Sequence, residues 1–224
     1  MIALMTGVVT IELLLLFFIS RVSIKRLFQV LHTFFRRDTM VFSIISAIYI
    51  PGTIIHELSH FFMAIVLFLK VRDIHIFPTW DGSYIKLGSV TYEKKDVFRS
   101  ILVGIAPIIV GILLFWWLYS IRIFESESMF FKISMLYVVF IISSTMFSSK
   151  QDLVDIVYII PLGIIIGGII YVFGIDITAL FSQDGVLAGV QEFLYAIAIY
   201  LGISIGVHIG AVGILSFLLH ISKR

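Results

Sequence analysis

Residues 101–119 run through Ile, Leu, Val, Phe, Trp and three small or ring-constrained residues, Gly104, Pro107 and Gly111, without one charged side chain. A helix needs about 20 such residues to cross the hydrocarbon core of a bilayer. Comparable runs occupy residues 2–20, 41–69, 130–147, 153–173 and 193–219. Of the 224 residues, 60% are hydrophobic and 13% charged, whereas a soluble domain carries about 45–50% and 25%. The pattern predicts an all-α membrane protein of about six transmembrane helices, folded as one membrane-embedded domain over residues 1–224.

What lies between the runs refines this. Residues 21–38 place Lys25, Arg26, Arg36 and Arg37 among Leu27, Phe28, Leu31 and Phe34, a pattern expected of an amphipathic helix on the membrane surface. The second run is long and contains Pro51-Gly52, where a kink or restart is expected. The one substantial polar stretch, residues 70–99, predicts strands over 71–77 and 83–93 around a turn at 78–82, a small β-hairpin-like insertion after the second helix. Residues 1–20 lack a basic start and a small-residue cleavage site, so they read as a retained helix and not a signal peptide. Gly163 with Gly167, and Gly202 with Gly206, predict close helix packing and no chemistry.

Cysteine is absent, which excludes disulfides, thiolate metal ligands and a thiol nucleophile. Lys and Arg are dispersed between the apolar runs, which excludes a nucleic-acid patch and leaves the lipid bilayer as partner. The side holding residues 70–99 and the C-terminus has a slight excess of basic residues, and this places both termini in the cytoplasm.

One cluster of ionisable residues interrupts the second run: His56-Glu57-Leu58-Ser59-His60, between Ile54-Ile55 and Phe61-Phe62. Histidines four apart on a helix share one face, and two neutral imidazoles so placed can bind one tetrahedral zinc ion. Glu57 is turned about 100° from His56, so it reaches a water at the open side of such a site and acts as general base. Each ionisable group in an apolar span costs about 2.5–3.5 kcal/mol on insertion scales, and a bound cation compensates three of them together. The alternative is a polar packing cluster between helices. Glu57-x-x-His60 is also half of a di-iron motif, but the chain holds no second copy.

Zinc hydrolases usually keep three protein ligands and one open position. Asp152, in the short polar break 148–152, is the candidate third ligand. Its alternative role is to cap the fifth helix, with Ser149 three residues before it. Asp155 is the next candidate, as ligand or as orienting partner of a ligand. His208, between Gly206 and Gly210, reads as a hydrogen-bonded packing residue more readily than as a ligand.

With His56-Glu57-Leu58-Ser59-His60 in the second span and an aspartate about 95 residues later, the chain resembles the site-2-protease family of intramembrane zinc metalloproteases. The resemblance covers residues 41–160 as a catalytic core, with flanking helices over 1–40 and 161–224. Many members have glycine where this chain has Ser59, and carry the aspartate in a Leu-Asp-Gly motif where this chain has Gln151-Asp152-Leu153. The resemblance implies a zinc metalloendopeptidase acting on membrane-spanning or membrane-proximal segments of membrane protein substrates. It also implies an active site nearer the cytoplasmic face and a membrane-associated strand region, here residues 71–93. The contrasting expectation is a metal-binding membrane protein without turnover, a transporter subunit or an inactive protease relative. A transporter would spread ionisable residues over several spans, and an inactive relative would be expected to lack Glu57 or a histidine.

Overall fold

The computed structural model of the chain describes residues 1–76, 79–80, 85–86, 88–125, 128–147 and 184–222. It is mostly helical: α1 (Ile2–Phe35), α2 (Asp38–Val66), α3 (Val97–Ser120), α4 (Met129–Thr145) and α5 (Asp184–Ser222), with a short 3-10 turn at Ile123–Glu125. Four of these, α1, α2, α3 and α5, are long and apolar enough to cross a membrane; α4 is apolar but shorter. The span expected at 153–173 lies outside the described residues, so among these residues six spanning helices are not seen.

α1 departs from the expected division into a span and a separate surface helix. It continues unbroken through the basic segment, because residues 8–35 contain neither glycine nor proline. At 34 residues it extends to about 50 Å, well beyond the hydrocarbon thickness, so the basic stretch continues the helix past the apolar zone. Arg21 stacks its guanidinium 4.2 Å from the ring centroid of Phe17 one turn earlier. The helix ends where Arg36 turns into the left-handed region, φ 52°, and its N–H closes on the His32 carbonyl.

α2 also runs without a restart, with Pro51 inside it. Proline opens the helix ladder at the preceding turn, and neighbouring helices can re-satisfy the freed carbonyls. Near this point the Tyr137 hydroxyl of α4 donates to the Ile48 carbonyl, three residues before Pro51, at 2.7 Å. Gly52 follows, and a Cβ there would meet Ile141 and Thr145 of α4 at 2.5–2.7 Å. α2 and α4 therefore approach closely one turn before His56.

The insertion between α2 and α3 is antiparallel strand structure, but it differs in detail from the expected single hairpin: Thr79–Trp80 is strand where a turn was expected, and the second strand is divided. β1 (Val71–His75) pairs antiparallel with β4 (Ser89–Tyr92), in register from Val71 opposite Tyr92 to His75 opposite Ser89, with an irregularity near Val71. β2 (Thr79–Trp80) and β3 (Ile85–Lys86) form a second small antiparallel pair. The insertion's base is clamped by cations on the C-terminal carbonyls of α2, the favourable end of the helix dipole. Lys95 Nζ donates to the Phe68 carbonyl at 3.1 Å, and Arg99 to the Leu67 carbonyl at 3.0 Å. Asp96 caps α3 through the Arg99 amide.

The largest apolar cluster lies where α1, α3, α4 and α5 meet, around Leu16, Phe115, Val139, Ile142, Ile197 and Leu201. A second joins α1, α2 and α4 around Val41, Ile45, Tyr49 and Ile141. A third, Ala64, Leu69 and Val103 with Val71 and Tyr92, seats the sheet on α2 and α3. Leu15, Phe18, Trp117, Ile214 and Phe217 face outward, as on a protein surrounded by lipid.

Candidate metal centre

α2 buries a polar stripe: Ser46, Tyr49, Thr53, His56, Glu57 and His60. Steps of three and four residues join Ser46, Tyr49, Thr53, His56 and His60 along one face of the helix, with Glu57 turned about 100° from His56. Three ionisable groups of this stripe, His56, Glu57 and His60, are thus turned inward while apolar side chains such as Phe62 and Val66 of the same helix face outward. His56 is 3% exposed, and Glu57 and His60 are 7% exposed.

The two imidazoles meet at their Nε2 atoms, 3.1 Å apart, with the rings nearly perpendicular at 88°. His60 Nδ1 lies 2.8 Å from the Val103 carbonyl oxygen in α3. A carbonyl only accepts, so Nδ1 carries the proton, and in the neutral ring Nε2 presents a lone pair toward His56. Two nitrogens bound about 2.0–2.1 Å from one tetrahedral zinc lie roughly 3.3–3.4 Å apart, and the observed separation is close to that. A ligand histidine commonly anchors its other N–H on a carbonyl in this way. The donor pair fits a zinc ion.

Glu57 is enclosed by the insertion. A Cβ on Gly88, the residue before β4, would lie 2.6 Å from Glu57 Cγ and 2.8 Å from Oε1. Any side chain at Gly88 would displace the carboxylate. Ser59 donates back to the Ile55 carbonyl at 2.6 Å, so its hydroxyl is satisfied within α2.

The motif residues expected from the sequence are therefore brought together. Among the described residues, no group of three or more His, Asp or Glu side chains is placed to hold a metal, so the described part supplies the two histidines. Asp152 and Asp155 lie outside the described residues. Thr145, at the end of α4 and seven residues before Asp152 in sequence, packs on Gly52, one turn before His56. His208 sits elsewhere: fully buried on α5, with Nε2 3.1 Å from Ser143 Oγ and its ring over Phe140. Comparison with protein-family models, curated proteins and solved structures finds no match.

Sequence reading did not find the Val103 carbonyl or Gly88. A backbone acceptor has no residue signature of its own. Gly88 stands out only once Glu57 is seen beside it.

Proposed function

We propose that the chain is an intramembrane zinc metalloendopeptidase that hydrolyses peptide bonds in membrane-spanning or membrane-proximal segments of membrane proteins. The observation that carries this reading is the convergence of His56 and His60 Nε2 atoms at 3.1 Å, with a buried carboxylate next in sequence to His56. His56, His60 and Asp152 would hold the metal, with Asp155 the alternative third ligand. When bound, zinc supplies Lewis-acid polarisation of water and of the scissile carbonyl. Glu57 removes a proton from the attacking water and returns it to the departing amine. The enclosing helices and the insertion limit bulk water around these groups, which strengthens their electrostatic interactions.

A helical substrate hides its peptide carbonyls, so it must be extended before cleavage. β4 offers a way to hold it: Gly88 touches Glu57, and among the described residues β4 pairs only with β1. A substrate segment added as a strand to β4 would run directly from the general base. The chain is proposed as multi-pass, with both termini cytoplasmic and the site nearer that face.

The reading is tested by purifying the wild type and Glu57→Gln in detergent, measuring zinc per chain, and incubating each with single-span substrates. The expected result is one zinc in both proteins and cleavage by the wild type alone. Zinc without cleavage by either would favour a binding protein, and a folded wild type free of zinc would overturn the metal centre.

A further inference from the structure

Pro107 lies inside α3, four residues after Val103. In an α-helix the amide of residue 107 would donate to the carbonyl of residue 103. Proline has no N–H, so this carbonyl loses its usual partner. It cannot turn to water, because Val103 is 1% exposed, and a buried carbonyl without a donor is costly. The donor it receives is His60 Nδ1, at 2.8 Å.

We infer that Pro107 is a positioning residue of the metal centre: by withholding its amide it reserves the Val103 carbonyl for His60, which fixes the ring with Nδ1 protonated and Nε2 turned toward His56. The inference rests on the proposed metal centre and deepens it. Pro51 makes a useful contrast. There the donor from a neighbouring helix, the Tyr137 hydroxyl, goes to the Ile48 carbonyl, three residues before the proline, and not to the Ala47 carbonyl that the missing amide would have met. At Pro107 the incoming donor is a candidate ligand. Any amino acid with an N–H at position 107 would compete with His60 for the same oxygen, and the imidazole could then rotate or change tautomer.

The test compares the wild type with Pro107→Ala, and with a protein carrying lactic acid at position 107, introduced by nonsense suppression. Alanine restores the amide, whereas lactic acid lacks both the amide and the proline ring. Zinc affinity is measured by chelator competition, and the His60 tautomer by 15N shifts of labelled imidazole in metal-free protein. Pro107→Ala is expected to bind zinc about 10–100-fold more weakly and to lose the single Nδ1–H form. The lactic acid protein should stay within a few-fold of wild type and keep that form. Wild-type affinity and tautomer in Pro107→Ala would overturn the inference. Equal loss in both variants would also overturn it, by assigning the effect to the proline ring. A wild type that binds no zinc would defeat the proposed function alone, because the tautomer in metal-free protein still decides the role of Pro107.

Discussion

His60 and His208 are both buried in apolar helices, but their ring nitrogens are engaged differently. His60 anchors Nδ1 on a carbonyl and meets a second imidazole with Nε2. His208 has Nε2 on Ser143, while its Nδ1 is buried and has no hydrogen-bond partner among the described residues. Ser143 itself donates to the Phe140 carbonyl, so removing His208 strands no serine proton. His208→Leu is therefore expected to leave zinc content unchanged and to shift unfolding stability by no more than about 1 kcal/mol, since a lost hydrogen bond is offset by the removal of an unmet buried nitrogen. Loss of zinc in that variant would make His208 part of the metal centre. The difference between the two histidines is only partly legible in the sequence. Spacing joins His56 to His60 because helical periodicity dictates it. His208 finds Ser143 across two helices, and no local pattern records that.

At the scale of elements, the insertion forms a wall beside Glu57. Clamped at its base by Lys95 and Arg99 on the end of α2, it brings the backbone of Gly88 against Glu57 without leaving room for a side chain. Gly88→Ala should push the carboxylate aside while leaving both histidines in place. Displacement of a catalytic group by about 1 Å can cost 100-fold, so kcat is expected to fall by about 10–100-fold at unchanged zinc per chain, with Gly88→Val worse than Gly88→Ala. Full turnover in Gly88→Val would show that the insertion does not bear on the base. The insertion itself was legible, because strand alternation and a proline-glycine turn stand out between apolar runs. The extent of α1 was not. Its composition changes sharply after Ser20, but composition governs where a helix lies relative to lipid, whereas only glycine, proline or a cap ends its hydrogen-bond ladder. α5 likewise starts at Asp184, well before the apolar run at 193, and runs on through Gln191 and Glu192, which are good helix formers despite their polarity.

At the scale of the molecule, the position of the motif along α2 would tie the proposed chemistry to one face of the membrane. His60 is six residues before the end of α2 at Val66, about 9 Å along the axis, and the insertion begins just beyond. Which face holds the site is thus the same question as which face holds the insertion. The basic residues answer it weakly, because α1 carries its own cluster, Arg21, Lys25 and Arg26, toward the opposite end. Labelling answers it directly. The chain has no cysteine, so one introduced thiol is the sole target for a maleimide. Thr91 on β4 and Glu125 in the turn after α3 are both exposed, and α3 separates them. With the insertion cytoplasmic, a membrane-impermeant maleimide applied to intact cells should label Glu125→Cys and should reach Thr91→Cys only after permeabilisation. The reverse pattern would move the site to the outer face and with it the pool of substrate segments it can meet. Equal labelling of both would mean that α3, for all its apolar length, does not cross the bilayer.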